Sequence, residues 1–362
     1  MYKQKNISTY QLFCVLQLSR LLSLLTLVFH DNTNMQPTDC LLGVFFGGVG
    51  VILFSLPLLY YVKTYPKLDL LDIAFLSSKK LSKVVAVFYA LFFSYFAFLT
   101  LITLKLFVGT SVFPNDEGTF FMIVCLIAAC YCAYLGLEAI GRAGAIALGI
   151  FVLSFSLIIF MMGKKVSLFH FSPLFLNGIS PAVSFGLRSA GVTYELAVFF
   201  FLAPKVKALK VKRIFNWIFS LLFFIFLILF FTFGGLGSYA LHQLFPVYSM
   251  AALAEFSVFK RFDVLLTGIW ILTALLKISL LLLLQSEILK KSFGEKVKGQ
   301  YIVVMGIILL IGQMLLKNKL QYYGFISNSN FKIILTVLFA FLLPMLLFLL
   351  VFWKRRKSNE KN

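Results

Sequence analysis

The fold is decided by residues 181–203, PAVSFGLRSAGVTYELAVFFFLA. The stretch is long and apolar enough to cross a bilayer, which takes about 20 residues. Its middle nevertheless carries Arg188 and Glu195 on either side of residues 191–193 (GVT), a patch that does not favour helix. Charges inside a membrane span are costly and usually mark function. A weak helical centre between two apolar halves predicts a helix that breaks in mid-membrane, as in many transporters.

The composition is that of a membrane protein. The 362 residues are 61% hydrophobic and 13% charged, whereas a soluble chain is about 25% charged. The net charge of +20 does not indicate nucleic-acid binding, because the basic residues are concentrated in the loops. Five cysteines, an odd number, predict packing residues rather than disulfides or a metal site. No metal or other cofactor is predicted, and phosphate-loop and dinucleotide motifs are missing.

Ten mostly apolar segments predict an all-α polytopic membrane protein with ten transmembrane helices. They are, roughly, 8–30, 41–62, 84–112, 119–136, 144–163, 181–203, 214–236, 263–285, 301–316 and 331–353. Helix is required because backbone groups in hydrocarbon must bond within their own segment, and these runs lack the alternation of a barrel. We predict one transmembrane domain over residues 1–353 and a basic cytoplasmic tail, 354–362, without fixed structure.

The loop charges place both termini in the cytoplasm. With that orientation, 22 basic residues lie on the inner side and seven on the outer side. Ten spans then divide into halves of five, about 8–163 and 181–353, and an odd number per half inverts the second half. This five-plus-five inverted repeat predicts that the first and sixth helices are broken. Each carries an arginine beside a serine, at Ser19-Arg20 and at Arg188-Ser189.

Two loops are predicted to contain helices of their own. Residues 63–83 alternate apolar and charged positions, which favours a cytoplasmic surface helix. Residues 246–261 read as an outer amphipathic helix that covers a cavity.

Several short patterns, taken in order, resemble one family. They are residues 7–11 (ISTYQ), Tyr65-Pro66, residues 136–142 (GLEAIGR), Pro173, Pro181, Glu195, Pro204, and Phe262-Asp263 followed by Trp270. The set resembles the endospore germination permeases, the B subunit of nutrient germinant receptors, within the amino acid/polyamine/organocation transporter superfamily. The likeness runs from about residue 7 to residue 353.

The resemblance implies a ten-helix transporter fold with a binding site between the first, third, sixth and eighth helices. It implies a nutrient-sensing subunit rather than an enzyme, in the inner membrane of a dormant spore, beside an A subunit and a C-subunit lipoprotein. Its ligand would be an amino acid or another small nutrient. The chain departs from the family at residues 18–21 (LSRL), where such proteins commonly have glycine near the break. The pose of an ordinary amino acid therefore does not carry over.

The candidate ligand-binding residues lie at the two predicted breaks and on the eighth helix. They are Ser19, Arg20, Arg188, Ser189, Gly191, Thr193, Glu195 and Lys277. An arginine fork suits the carboxylate of a small ligand. Alternatively, Arg188 pairs with Glu195, and Arg20 binds backbone carbonyls at its break. The sequence does not decide which arginine meets the ligand.

Glu195 and Lys277 each lie fourteen residues from the outer end of their spans, so we predict a buried pair between them. Such a pair would lock two helices together or replace a bound cation, rather than add stability. Glu195 could instead hold a ligand ammonium or a proton. Even if Lys105 reaches the surface on its long stem, the spans keep an excess of positive charge. That excess favours an anionic ligand group over Na⁺.

Glu138 and Arg142 lie four residues apart and form either an exposed pair on a helix surface or a hinge or subunit contact. The function that we expect is nutrient binding and signalling. A secondary amino acid transporter and an ion-conducting subunit are the alternatives, because sensors and transporters share folds.

Overall fold

The computed structural model describes residues 7–26, 35–113, 118–174, 176–207, 209–254, 263–316, 324 and 328–359. Within these ranges the chain is helical and contains no sheet. The single extended pairing there is a parallel bridge between Ile7 and Val206.

Most of the described residues lie in α-helices. In chain order they are α1 (Thr9–Leu25), α2 (Pro37–Phe54), α3 (Leu56–Thr64), α4 (Leu70–Ser77), α5 (Lys79–Phe107), α6 (Thr119–Leu135), α7 (Leu137–Met162), α8 (Ser180–Gly191), α9 (Glu195–Leu202), α10 (Val211–Leu236), α11 (Pro246–Leu253), α12 (Asp263–Phe293), α13 (Gln300–Leu315), α14 (Ser329–Thr336) and α15 (Leu343–Asn359). Short π-helical turns occupy Val108–Val112 and Val337–Leu342, and 3₁₀ turns occupy Leu168–Phe171, Ala203–Lys205 and Gly237–His242.

The helices agree with the prediction of a polytopic membrane protein. Seven helical stretches are long and apolar enough to cross a bilayer: Pro37–Thr64, Lys79–Val112, Leu137–Met162, Ser180–Lys205, Val211–His242, Asp263–Phe293 and Ser329–Lys354. Three shorter apolar helices, α1, α6 and α13, occupy the other three predicted segments. Each of the ten segments therefore contains helix in its described residues, while ten as the number of membrane crossings stays a prediction.

The first helix is not broken, so this part of the prediction is wrong. Helix α1 continues through Ser19-Arg20, and it begins with a capping box in which Ser8 and Gln11 bond each other's main-chain N–H groups. The reason is local, because residues 9–25 contain neither glycine nor proline, and leucine and arginine are good helix formers. Residues 27–30 of the predicted segment lie outside the described residues.

The sixth predicted span is broken, as predicted. Helix α8 ends at Gly191 and α9 begins at Glu195, with residues 192–194 (VTY) between them. Two β-branched residues in succession weaken the helix at this point. Gly191 also allows a close approach, because a Cβ there would lie 2.7 Å from the Ile333 side chain.

Helix α8 is held against α2 by glycine on both sides. A Cβ on Gly186 would lie 2.6 Å from the Gly43 carbonyl oxygen and 2.7 Å from the Gly47 nitrogen. Small residues permit this backbone-to-backbone contact, as in many membrane helix pairs. The first half of the broken helix, α8, is therefore fixed in place by α2.

Helix α12 is enclosed by the rest of the bundle. Every residue from 276 to 286 is buried, on all faces of the helix. Lys277 and Gln285 lie within this stretch, so their polar groups have no access to bulk water. A helix that is buried all round belongs to the centre of a bundle.

The predicted surface helix in residues 63–83 is present as α4. Asp69 caps it and, together with Asp72, accepts the Lys291 ammonium, at 2.6 Å from each carboxylate. Burial raises the pKa of Asp69, and the nearby Lys291 charge opposes that rise. At the other end of α4, Lys354 Nζ donates to the Leu76 and Ser77 carbonyls.

The outer loop and the tail differ in part from expectation. Helix α11 lies within the predicted outer helix, while residues 255–261 of that prediction lie outside the described residues. The final helix, α15, extends to Asn359. The first part of the tail is therefore helical, which corrects the prediction of a tail without fixed structure.

Candidate functional site

The break between α8 and α9 releases a carbonyl, and Arg20 binds it. In a continuous helix the Thr193 N–H would bond the Ser189 carbonyl, but here it donates to Ala190 at 3.0 Å. Arg20 Nη2 donates instead to the Ser189 carbonyl at 2.6 Å and to the Ser189 hydroxyl at 3.0 Å. The Thr193 hydroxyl adds a longer bond to the same carbonyl, at 3.3 Å. A charged donor from α1 thus satisfies the group that the break exposes.

Glu195 is fully buried at the first position of α9. Its Oε1 accepts a hydrogen bond from the Ser19 hydroxyl at 2.9 Å. Its Oε2 has no hydrogen-bond partner among the described residues. The helix N-terminus favours a negative charge at this position, but half of the carboxylate has no donor.

Tyr194 forms one wall of the cluster, and the sequence analysis did not identify it. Its ring stacks on Phe96 of α5, with centroids 4.0 Å apart and an angle of 18°. Its hydroxyl shares a 2.8 Å hydrogen bond with the Ser19 hydroxyl. The one available signal was a tyrosine inside the break, since buried tyrosine needs a partner for its hydroxyl.

Lys277 contacts α1 rather than Glu195. Its Nζ donates to the Ser23 hydroxyl at 2.7 Å and to the Ser19 carbonyl at 3.3 Å, and it lies 5.0 Å from the centroid of the Tyr194 ring. Within the described residues Glu195 and Lys277 form no direct ion pair, so the predicted pair is corrected. Ser19 joins them, because its hydroxyl bonds the carboxylate and its carbonyl accepts from the ammonium.

The two arginines have different environments. Arg20 is 6% exposed and reaches the break from α1. Arg188 is half-buried on α8, one residue before Ser189. Arg20 is therefore the arginine that binds the broken helix. It does so through a backbone carbonyl, which is the second of the two alternatives that the sequence left open for it.

Elements from four predicted spans meet at this point. The first contributes Ser19, Arg20 and Ser23, the third contributes Phe96, the sixth contributes Ser189 and residues 191–195, and the eighth contributes Lys277. We call this set the break cluster. These are the helices between which the family resemblance places a ligand site.

The break cluster contains two cations and one carboxylate, all buried. Buried charges are tolerated when they are paired and hydrogen-bonded. The Lys277 ammonium is hydrogen-bonded to Ser23 and Ser19, but Arg20 Nε and Glu195 Oε2 lack hydrogen-bond partners in the described part of the chain. The cluster therefore keeps one charged donor and one charged acceptor for a further group.

Aromatic side chains cover the break cluster on the side of α11. Phe107 stacks on Trp270 with centroids 3.8 Å apart, and Phe245 packs edge-on against both rings. Trp270 lies seven residues before Lys277 on the same helix face, or about 10 Å along the axis. The Tyr248 hydroxyl joins this cover to Asp263 at 3.0 Å. These aromatic rings therefore pack around α12 between Lys277 and the end of the helix that begins at Asp263.

Comparison with known proteins identifies a family and a fold. A family model described as spore germination protein (spore permease) matches residues 6–322. A search of curated proteins found no match. Thirty-seven chains of solved structures match. One is a Na⁺-coupled sialic acid symporter in a substrate-bound outward-open state, with 13% identity, coverage of 92% of this chain and 87% of that chain, and a TM-score of 0.52. At this identity the likeness shows a shared transporter fold and nothing about the ligand.

Proposed function

The chain belongs to the spore germination protein family, and from that membership we propose that it is the nutrient-binding subunit of a germinant receptor. In this proposal it has ten spans in a five-plus-five inverted repeat, with both termini in the cytoplasm, and lies in the spore inner membrane. It works with A and C subunits. Its role is binding and signalling rather than catalysis.

One observation carries the proposal. Arg20 Nε and Glu195 Oε2 are buried, oppositely charged and without hydrogen-bond partners among the described residues, beside the break between α8 and α9. A zwitterion such as an amino acid matches this pair, with its carboxylate on Arg20 and its ammonium on Glu195. Charge-assisted hydrogen bonds of this kind are about twice as strong as neutral ones.

The same contacts offer a route from binding to signal. Ser19 bonds Tyr194, Glu195 and Lys277, so it ties α1 to both the broken helix and α12. A ligand that binds Glu195 or Arg20 competes with these ties. It shifts the protein between two arrangements only if it binds one of them more tightly. Partner subunits would then respond to the favoured arrangement.

Binding to the purified protein in nanodiscs tests the proposal. A panel of amino acids is titrated against the wild type, Arg20→Lys and Glu195→Gln, with Lys80→Gln as a control at an exposed position. We expect saturable binding of at least one amino acid, at least tenfold weaker in both cluster variants and unchanged in the control. Equal affinities in all four proteins would place the ligand elsewhere.

A second candidate is a working secondary transporter, because the fold is shared with a symporter over 92% of the chain. Liposomes separate the candidates. Concentrative uptake of the bound amino acid supports transport, and saturable binding without flux supports sensing. Deleting the gene tests the biological role, since loss of the germination response to one nutrient is expected from a receptor and no change would contradict it.

A further inference from the structure

A second site lies at the foot of α1, remote from the break cluster. It is an open pocket of about 510 Å³ between the starts of α1, α7 and α10. Its lining residues are Ser8, Thr9, Gln11, Glu138, Arg142, Lys207 and Arg213. Residues 7–11 and 136–142, the two longest segments that carry the family resemblance, meet here, and neither contributes to the break cluster.

The walls of this foot pocket are held by main-chain contacts. Ile7 and Val206 form a parallel bridge, in which the Ile7 N–H donates to Lys205 at 3.2 Å and the Ile7 carbonyl accepts from Lys207 at 3.3 Å. The Thr9 hydroxyl donates to the Lys207 carbonyl at 3.1 Å. On the α7 side, a Cβ on Gly141 would lie 3.3 Å from the Gln11 side chain. Specific contacts therefore hold residues 7–11 against both the Lys205–Lys207 segment and α7.

The charge in the foot pocket is positive. Glu138 is bonded to Arg142 on the same helix, which leaves Lys207 and Arg213 without a carboxylate among the lining residues. Arg213 donates a hydrogen bond to the Thr9 hydroxyl at 2.8 Å, which sets the position of its guanidinium, and Lys207 lines the same pocket. A guanidinium and an ammonium are the side-chain groups that suit the oxygens of a phosphate group.

We propose that the foot pocket binds the phosphate headgroup of an anionic membrane lipid. Three apolar helices begin around it, so the pocket lies at the level where a bilayer meets water, on the predicted cytoplasmic side. Tyr10, the next residue after Thr9, is 66% exposed, as expected for an aromatic side chain at the headgroup level. The cytoplasmic leaflet attracts basic residues at this level. A lipid bound here would join the inner ends of α1, α7 and α10, whatever ligand binds at the break cluster.

Native mass spectrometry of the detergent-purified protein tests the site. The protein is titrated with phosphatidylglycerol and, separately, with phosphatidylcholine. The variant Lys207→Gln/Arg213→Gln removes two charges from the pocket, and Lys79→Gln/Lys80→Gln removes two exposed charges elsewhere on the predicted cytoplasmic side. We expect phosphatidylglycerol affinity to fall roughly 25-fold in the pocket variant, at about fivefold per basic residue, and to stay within twofold of the wild type in the control.

A variant that gains affinity distinguishes loss of the binding site from loss of folding. Glu138→Gln removes the carboxylate of the pocket and frees Arg142, so phosphatidylglycerol affinity should rise about fivefold. Equal affinities for both lipids, or equal losses in the pocket and control variants, would overturn the proposal. Inorganic phosphate and a short acidic peptide are each tested as competitors of phosphatidylglycerol. If either displaces phosphatidylglycerol at equimolar concentration, the pocket is a free-phosphate or protein-binding site and the lipid assignment is wrong.

Discussion

Glu195 and Lys277 should contribute unequally to stability, although their charges are equal in size. The wild-type break cluster has two cations and one carboxylate, so Glu195→Gln leaves Arg20 and Lys277 buried together without a counter-charge. Removing one partner from a buried charge set costs about 3–5 kcal/mol. Lys277→Met instead leaves Arg20 and Glu195 balanced.

The cost of Lys277→Met is smaller for a second reason. The ammonium donates to the Ser23 hydroxyl and the Ser19 carbonyl, and these two groups keep a 3.3 Å hydrogen bond with each other. We therefore expect a loss of about 1.5–3 kcal/mol, the range for hydrogen bonds to a charged group. Since Lys277 and Glu195 are not in direct contact, their attraction stays below about 4 kcal/mol, the value for charges 4 Å apart at an effective dielectric constant of 20.

The double variant is the decisive measurement. In the Glu195→Gln protein Lys277 has no carboxylate to attract, so removing it there should cost less than removing it from the wild type. The double variant should therefore be about 0.5–3 kcal/mol more stable than the sum of the two single losses predicts. The free energies of unfolding of the wild type, the two single variants and the double variant form a double-mutant cycle. They are measured by reversible unfolding in mixed SDS micelles, followed by circular dichroism. The reasoning is refuted if the losses of the two single variants add to within about 0.5 kcal/mol, or if Lys277→Met is the more damaging single change.

Three further predictions follow from other contacts. Tyr194→Phe removes the hydroxyl bonded to Ser19 and should cost about 1 kcal/mol of stability in the same micelles; no measurable change would show that the bond contributes nothing. Gly186→Ala places a methyl group against the α2 main chain and should lower stability by about 1–3 kcal/mol. The control Gly149→Ala, where a Cβ would have nothing within 4 Å, should be neutral or stabilising by up to about 1 kcal/mol. Equal effects of the two variants would contradict the tight α2–α8 contact. Because the pKa of Asp69 is raised on folding, its contribution to stability is present below its ordinary pKa and is lost as the pH rises through the raised value. Asp69→Asn keeps a good helix cap, so thermal melts should show the stability of the variant rising relative to the wild type as the pH increases from 4. A relative fall over the same pH range would refute the predicted sign.

Several features of the fold could be predicted because they depend on one segment at a time. The positions of apolar helices follow from length and hydropathy, since a backbone in hydrocarbon has few alternatives to helix. The break after Gly191 follows from a glycine and two β-branched residues in sequence. The same reasoning was wrong for α1, because it took the break from the repeat pattern rather than from the residues around Arg20, which form helix well.

The partners of the charged residues could not be predicted in the same way. Depth along a helix follows from a rise of about 1.5 Å per residue, which is why Glu195 and Lys277 were placed at one level. Depth alone did not reveal that Lys277 bonds Ser19 and Ser23 instead. Tyr194 was missed for a related reason. Its place in the break cluster depends on contacts with Phe96 and Ser19, which are far away in sequence.

The amino-acid sequence by itself determined that this is a helical membrane protein, where its helices lie, and that one of them breaks beside a buried carboxylate. The tertiary structure alone decided that Arg20 binds the exposed Ser189 carbonyl, that Ser19 joins Glu195 to Lys277, and that two distant segments form the foot pocket. The physical reason is that lipid and helix neighbours are equally apolar, so the pattern of hydrophobic residues does not mark which face of a membrane helix meets which partner.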